Sequence, residues 1–246
     1  MFRRVLAMAA TAAFAYAIVP THHGDRIVRV YGDLRTAERV AVIVPGADTT
    51  SATFEGGRAK PYSTPGGGAL ALLAEARALD PGARLAVVAW LGYDSPATVS
   101  LGVATEEAAE AGAVELRRYL TGTLGGRRVS LLCHSYGSVV CAKAAPGSGV
   151  ADLAVFGSPG LGVSSASELG GVPLWAGSGG EDWMRGVPKL RLGPLGFGPD
   201  PAAPSFGARL FATGSAGHSD YLRPGGESLR NLTLIALGRT GEVSRG

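Results

Sequence analysis

The sequence predicts an α/β fold with a mostly parallel central sheet and helices on both faces. Short apolar runs alternate with longer helical stretches along the chain, which is the pattern of parallel sheets. The runs are almost continuously valine, leucine and alanine, as expected of strands that are buried on both faces. The 246 residues, 46% hydrophobic and 17% charged, suffice for one large core. We therefore expect one such domain over residues 24–246.

Seven apolar runs qualify as strands because each is closed by glycine, proline, aspartate or serine, the residues that end strands and form turns. In chain order the predicted strands are Arg26–Tyr31, Val40–Val44, Arg84–Trp90, Val129–Cys133, Asp152–Phe156, Pro173–Ala176 and Arg209–Thr213. Four stretches between or after them are predicted helices, namely Gly68–Leu79, Ala104–Leu120, Tyr136–Ala145 and Gly226–Gly238.

Two long stretches, residues 47–66 and 185–207, have no predicted regular structure. Both follow the carboxyl ends of predicted strands, where open α/β sheets place their ligand crevice. Long loops in a compact domain are usually functional or disordered. Each stretch is therefore interpreted as a wall or lid of a substrate site, with a plain irregular connection as the alternative.

The first 23 residues have the composition of a leader. Met1-Phe2-Arg3-Arg4 is basic, and residues 5–19 that follow carry no charge. The uncharged stretch is shorter than the roughly 20 residues that a membrane-spanning helix needs. We expect a signal peptide and a secreted or cell-envelope location. An N-terminal anchor, with transient membrane contact, and a buried first helix are the alternatives.

Charge and motif content exclude several other classes of function. The net charge of +3 arises from 23 basic and 20 acidic residues without a basic stripe, so nucleic acid is not an expected partner. Gly160-Leu161-Gly162 lacks the third glycine of a dinucleotide fingerprint, and His22-His23 lacks the spacing of a zinc-binding helix. We expect no metal, no cofactor and a small-molecule partner.

The segment 129–138 contains the strongest motif in the chain. A predicted strand runs directly into Ser135, and a predicted helix leaves from it, which is the pattern of a nucleophile elbow. A serine is a weak nucleophile at neutral pH and must be presented to a base and to backbone N–H groups. The segment departs from G-x-S-x-G because Cys133 replaces the first glycine. His134 occupies the variable position and is expected to pack beside the elbow.

The acid and the base of such a site follow the serine in that order along the chain. His218 is the one histidine after Ser135, and its glycine-rich loop directly follows the last predicted strand. Asp182 is the predicted acid because it follows a predicted strand and a glycine turn. Trp183 beside it is expected to shield the hydrogen bond to the imidazole from water. Glu181 is the alternative acid.

The oxyanion site needs two backbone N–H donors. One is predicted at Tyr136, directly after the nucleophile, and the second in the loop that follows an early strand. In that loop Pro45 has no N–H, and Gly46 allows unusual backbone angles. Ala47 is therefore the predicted second donor, with Asp48 as the alternative.

The two cysteines of the chain, Cys133 and Cys141, lie on either side of the elbow. A disulfide is chemically permitted outside the cell. The sequence does not establish the Cα separation below about 7 Å that a disulfide requires. A disulfide and two packed thiols are both compatible with the sequence.

Several segments together resemble a group of uncharacterised bacterial alpha/beta hydrolases. They are residues 30–37, 40–46, 89–96, 134–138, 157–160 and 217–222. The resemblance covers nearly everything after residue 25. It implies the alpha/beta-hydrolase fold, with Ser135, Asp182 and His218 as the catalytic triad and Asp94 on the crevice side of the sheet. It implies no substrate.

These observations predict a serine hydrolase that cleaves a carboxylic ester through an acyl-serine intermediate. Leucine, phenylalanine and proline in residues 185–207 favour an apolar acyl group. Acyl transfer to an alcohol by the same three residues is one alternative. A catalytically silent binding module is the other, and the presence of all three residue types argues against it.

Overall fold

The computed structural model describes residues 26–56 and 59–246. The predicted leader, residues 1–23, lies outside the described residues, so its cleavage or anchoring stays a prediction. Within the described part of the chain, no helix combines the length and apolar character that a bilayer span requires.

Seven strands of the described residues form one sheet. They are β1 Ile27–Tyr31, β2 Arg39–Val44, β3 Leu85–Leu91, β4 Arg128–His134, β5 Asp152–Phe156, β6 Leu174–Gly177 and β7 Arg209–Leu210. They lie in the order β1-β3-β2-β4-β5-β6-β7. β1 pairs antiparallel with β3, and every other neighbouring pair is parallel. The prediction of a mostly parallel sheet is confirmed.

Helices cover both faces of the sheet. In the described residues the α-helices are α1 Pro65–Leu79, α2 Glu107–Thr121, α3 Gly137–Ala144 and α4 Glu227–Ala236. α1 packs against α4, and α2 packs against α3. β4 shows why these pairs form two layers, because alternate strand residues point to opposite faces. Ser130 donates a hydrogen bond to the Ile235 carbonyl in α4 (3.4 Å), whereas Cys133 is bonded to Cys141 in α3.

The central strands form the core, as their continuous apolar sequences predict. Every residue of β3 and of β5 is buried. A strand whose consecutive residues are all buried must be covered on both faces, so the two helix layers follow directly from the sequence of the strands.

Most element boundaries lie within two residues of the prediction, and three differ by three residues, each for a local or tertiary reason. α1 begins at Pro65 rather than Gly68, because proline suits the first helical position and the Thr64 hydroxyl caps the helix by accepting from the Gly67 N–H (3.1 Å). α2 begins at Glu107 because residues 101–104 form a separate 3-10 turn. β7 stops at Leu210 because the Ala212 N–H donates to the Ser244 carbonyl (2.9 Å) instead of the sheet.

This topology brings the candidate functional residues together at one edge of the sheet. The carboxyl ends of β2, β4, β6 and β7 lie together because these strands are parallel. The segments that leave those ends contain Ala47, Ser135, Asp182 and His218 respectively.

Candidate active site

Ser135 lies in a strained turn between β4 and α3. Its φ of 52° is in the left-handed region, which a residue with a side chain rarely adopts. The Ser135 N–H donates to the Phe156 carbonyl in β5 (3.0 Å), which fixes the turn to the sheet. The surrounding structure therefore holds Ser135 in the elbow conformation that the sequence predicts.

Two glycines allow the elbow to approach the loop after β2. A Cβ atom at Gly46 would lie 2.6 Å from the Ser135 Cβ. A Cβ atom at Gly137 would lie 2.4 Å from the Pro45 carbonyl oxygen. Both separations are shorter than real Cβ contacts, so these positions require glycine.

The three residues predicted as a triad meet in a continuous hydrogen-bonded chain. His218 Nε2 lies 3.1 Å from Ser135 Oγ, and His218 Nδ1 lies 2.9 Å from Asp182 Oδ1. When Nδ1 donates to the carboxylate, Nε2 is left as the acceptor that faces the serine hydroxyl. The alternative acid, Glu181, has an exposed side chain. The structure brings Asp182 to the imidazole.

Asp182 is held as a charged acceptor by three donors. Besides His218, the Tyr221 hydroxyl donates to Oδ2 (2.6 Å) and the Met184 N–H donates to Oδ1 (2.8 Å). Burial raises the pKa of Asp182, but the hydrogen bonds from His218, Tyr221 and the Met184 N–H outweigh burial, so the pKa lies below its usual value. The Tyr221 hydroxyl also accepts from the Gly179 N–H (2.8 Å). Tyr221 thus ties the carboxylate to the turn that presents it.

Trp183 packs on the imidazole, beside the hydrogen bond that it is expected to shield from water. The ring centroids of Trp183 and His218 are 4.7 Å apart. The Trp183 side of the imidazole is therefore covered by an indole, while the indole itself remains 57% exposed.

Backbone hydrogen bonds distinguish the two candidates for the second oxyanion donor. The Asp48 N–H donates to the Pro96 carbonyl (3.0 Å), so Asp48 does not fit the role. The N–H groups of Ala47 and Tyr136 donate to no other described residue. The structure thus leaves available the two N–H groups that the sequence analysis selected.

Side-chain hydroxyl groups hold the loop after β2 in place. The Tyr93 hydroxyl donates to the Pro45 carbonyl (2.7 Å), and the Ser95 hydroxyl donates to the Gly46 carbonyl (2.9 Å). The Thr49 hydroxyl donates to the same Gly46 carbonyl (3.0 Å). These bonds orient the peptide planes on which the Ala47 N–H depends.

His134 contacts the residue His218, which the sequence does not reveal. Its Nε2 lies 2.7 Å from the His218 carbonyl oxygen, and its ring centroid lies 4.7 Å from that of His218. Burial first, and then the nearby charge of His218, lower the pKa of His134 to about 3. His134 therefore stays neutral at ordinary pH and donates from Nε2–H to the backbone of the residue that faces Ser135.

Asp220 connects the His218 loop to the loop before α1. Its carboxylate accepts from Lys60 Nζ (2.9 Å) and from the Tyr62 hydroxyl (3.0 Å), and it pairs with Arg223 (3.0 Å). Burial raises the pKa of Asp220, but the hydrogen bonds from Lys60, Arg223 and Tyr62 prevail and lower it to about 2. The position two residues after His218 is thus fixed by contacts with the loop before α1.

A cavity of about 700 Å³ opens at Ser135. Both stretches without predicted structure supply its walls, so they are more than connections between elements. Most of the larger side chains that line it are apolar, among them Val103, Phe156, Val187, Leu190, Phe197 and Leu222. Asp48 and Thr98 form a polar part of the wall, where the Thr98 N–H donates to Asp48 Oδ1 (2.9 Å).

The structure also shows contacts of the remaining candidate residues. Cys133 and Cys141 form a disulfide with a Cα separation of 6.5 Å, which answers the question that the sequence leaves open. Asp94, which the resemblance places on the crevice side, pairs with Arg26 (3.2 Å). Within residues 26–56 and 59–246, no cluster of three or more histidine, cysteine, aspartate or glutamate side chains is placed to hold a metal ion.

A parallel sheet with a serine elbow at its carboxyl edge defines the class of alpha/beta hydrolases. Comparison with protein families agrees, since residues 21–192 match the family described as Alpha/beta hydrolase. The chain belongs to this family, which confirms the fold and the resemblance predicted from the sequence. The matched region contains Ser135 and Asp182 and ends before His218.

The similar curated proteins are mycobacterial and uncharacterised. The chain is 33% identical over 260 residues to the uncharacterised protein Rv2079 of Mycobacterium tuberculosis (strain ATCC 25618 / H37Rv). That alignment covers 92% of this chain and 39% of the relative, so the chain spans about two fifths of the relative's length. It is 32% identical over 148 residues to Rv0963c of the same strain, covering 58% of this chain and 55% of that protein.

Solved structures with the same fold include two esterases. Esterase PE8 superposes with a TM-score of 0.52 at 15% identity, covering 86% of this chain and 97% of that chain. The Bacillus cereus carboxylesterase superposes with a TM-score of 0.51 at 12% identity, covering 89% of this chain and 96% of that chain. At these identities the likeness shows the fold.

Proposed function

We propose that this hydrolase cleaves carboxylic esters through an acyl-serine intermediate. The observation that carries the proposal is the continuous chain from Ser135 Oγ to His218 (3.1 Å) and from His218 to Asp182 (2.9 Å). A serine, a base and an orienting carboxylate at these distances form the arrangement that activates a serine nucleophile.

Acylation uses these groups in turn, with His218 acting first as a base and then as an acid. Ser135 Oγ attacks the ester carbonyl while His218 Nε2 takes the hydroxyl proton. Asp182 holds the imidazole in the correct tautomer and stabilises the imidazolium that forms. The N–H groups of Ala47 and Tyr136 donate to the oxyanion of the tetrahedral intermediate. The intermediate collapses when the alcohol leaves with the proton from His218.

Deacylation repeats the same steps with water as the nucleophile. His218 Nε2 removes a proton from the water as its oxygen attacks the acyl-serine carbonyl. The proton then returns to Ser135 Oγ as the carboxylic acid leaves. A neutral His134 suits both half-reactions, because a second cation beside His218 would oppose formation of the imidazolium.

The cavity favours an apolar acyl group. Its larger lining side chains are mainly apolar, and Val187, Leu190 and Phe197 come from the stretch whose composition led to the same expectation. Esters are favoured over amides because alkoxides leave more easily than amines.

Labelling with a fluorophosphonate probe tests the proposal directly. The wild-type protein is expected to react at Ser135, and Ser135→Ala is expected to lose both labelling and turnover of model esters. Ser219→Ala is the matched control, because Ser219 also lines the cavity but contacts neither imidazole nitrogen in the structure.

Two results distinguish the alternatives. If the folded protein is not labelled at Ser135, the proposal is contradicted, and the catalytically silent binding module becomes the better interpretation. If an alcohol is added and the products contain more of its ester than of the free acid, the protein is an acyltransferase that uses the same residues.

A further inference from the structure

Exposed apolar side chains are concentrated in the segment 183–195, which supplies part of the cavity wall. We call this surface the apolar collar and define it as Trp183, Val187, Leu190, Leu192 and Leu195. Leu190 is 60% exposed and Leu192 is 73% exposed. Single exposed apolar residues are common on soluble proteins, but a group of them beside a cavity is typical of an interaction site.

A backbone hairpin holds the outer part of the collar away from the core. The N–H of Leu192 donates to the Leu195 carbonyl (2.8 Å), and the N–H of Leu195 donates back (3.1 Å), around the turn Gly193-Pro194. The base is fixed because the Gly196 N–H donates to the Ala104 carbonyl (2.9 Å) and Arg191 donates to the Gly162 carbonyl (3.0 Å). The exposed leucines are thus presented by an anchored turn.

The collar is continuous with the cavity. Trp183, Val187 and Leu190 are exposed at the mouth and also line the cavity that leads to Ser135. An apolar molecule that leaves a hydrophobic phase at the collar therefore meets apolar surface until it reaches the nucleophile.

The charges around the collar favour an anionic surface. Residues 183–199 contain three basic residues and no acidic residue. Lys189 is paired with Asp200 (2.7 Å) and Arg191 with Glu106 (3.2 Å), but the Arg191 side chain is 48% exposed whereas that of Glu106 is 11% exposed, and Arg185 is exposed. With the exposed Glu181 counted, the solvent-facing side of this stretch therefore presents two cationic side chains, Arg185 and Arg191, and one carboxylate. Anionic lipid headgroups attract basic residues at a membrane surface.

We propose that the apolar collar docks on an anionic lipid surface and that the substrate is an ester carried in that lipid phase. The docking rests on the collar alone, whereas the substrate class rests on the function proposed above. Trp183 strengthens the assignment to lipid, because an indole with a partly wet ring is suited to the membrane–water interface.

Tryptophan fluorescence reports docking of the collar itself. The chain has three tryptophans; Trp90 and Trp175 are 2% and 6% exposed, so Trp183 alone can change its environment at a surface. The full-length Ser135→Ala protein is titrated with phosphatidylcholine vesicles, with and without phosphatidylglycerol. We expect a blue shift and a several-fold stronger partition to the phosphatidylglycerol vesicles. If the protein binds through the leader alone, the emission wavelength of Trp183 stays unchanged, and that result overturns the proposal.

Variants at the tip separate the collar from general effects of charge. Leu192→Asp or Leu195→Asp is expected to weaken vesicle partition by about tenfold or more, because burial of a leucine side chain in the lipid is lost. Leu70→Asp is the matched control, since Leu70 is 57% exposed on α1, and it should partition like the parent protein. An equal loss in the control overturns the proposal.

Activity assays separate this proposal from the function on which its substrate class depends. With Ser135 restored, Leu192→Asp should hydrolyse a short soluble ester at the wild-type rate and lose about tenfold on an ester carried in vesicles. Docking without any turnover leaves the collar assigned and contradicts only the proposed hydrolase function. A dimer that Leu192→Asp dissociates in sedimentation, with no vesicle binding, assigns the collar to a second copy and overturns the proposal.

Discussion

The adjacent carboxylates Glu181 and Asp182 provide a test at the scale of single residues. Asp182 accepts from His218 (2.9 Å), whereas Glu181 is exposed. Asp182→Asn is expected to lower kcat by about 10⁴-fold because the amide favours the wrong imidazole tautomer. Glu181→Gln should retain wild-type kcat. Steady-state kinetics on a model ester, with circular dichroism to verify folding, measures both.

A reversed result would identify Glu181 as the acid and contradict the geometry. Equal and small losses in both variants would mean that neither carboxylate orients the imidazole in the reacting enzyme, and the mechanism would then require another acid.

Residues of the candidate site differ in how visible they are in the sequence. Ser135, Asp182 and His218 could be predicted because each follows a strand and their order is typical of the class. The contacts of His134 and Tyr221 could not, because both depend on how the His218 loop folds back over the elbow. A histidine next to a nucleophile has no pattern that distinguishes a positioning contact from packing.

At the scale of elements, the loop after β2 and the elbow between β4 and α3 act as one unit. Gly46→Ala is expected to lower kcat/KM by about 100-fold, since its Cβ would lie 2.6 Å from the Ser135 Cβ and displace the Ser135 side chain. Gly186→Ala is the matched control, because a Cβ there meets no atom within 4 Å. Near-normal kinetics for Gly46→Ala would show that the elbow tolerates movement and that its position is less demanding than the contacts imply.

The disulfide joins the two elements on either side of the elbow, from the end of β4 to the second turn of α3. Replacing Cys133 and Cys141 together by alanine should lower the free energy of unfolding by about 2–3 kcal/mol, because the unfolded chain regains the entropy of a short closed loop. Urea denaturation measures the change. Reductant added during unfolding should destabilise the wild-type protein and leave the double variant unaffected. Insensitivity of the wild type would indicate free thiols.

Element positions were predicted best where the signal is local. The strands could be predicted closely because buried parallel strands are continuous apolar runs. The end of β7 could not be predicted, since the Ala212 N–H donates to the Ser244 carbonyl. That partner lies 32 positions away in sequence, and a local apolar pattern gives no information about it. α1 begins three residues before its predicted start, because the run of glycines after the cap residue Thr64 and the first-turn residue Pro65 disfavours a helix in the sequence.

At the scale of the whole molecule, two segments gain a function only from their placement. Residues 47–66 and 185–207 carry no periodic pattern, so the sequence allowed both a wall and a plain connection. The fold places both in the wall of the cavity that opens at Ser135, and the ion pair of Asp220 with Lys60 (2.9 Å) joins the first of them to the His218 loop. The cavity is therefore a property of tertiary structure, although its apolar character is visible in the composition of the second segment.

Acid stability of the folded protein should depend on His134. Its pKa in the folded state is about 3, below the ordinary 6.5, so between these values the unfolded chain binds a proton that the folded chain does not. Stability from this group is therefore complete above about pH 6.5 and is lost as the pH falls towards 3. From about pH 7 to about pH 4.5 we expect a loss of about 1–2 kcal/mol, after allowing for partial solvent access to the ring.

His134→Gln isolates this contribution, because glutamine carries an N–H donor for the His218 carbonyl but does not titrate in this range. Thermal and urea unfolding across that pH interval should show a smaller loss of stability for the variant than for the wild type. Because the other titratable groups are the same in both proteins, the difference between the two pH profiles measures the contribution of His134 alone. Parallel pH profiles would mean that His134 takes up a proton as readily in the folded protein as in the unfolded chain. A ring that becomes charged so readily beside His218 would contradict the neutral environment on which the proposed imidazolium intermediate depends.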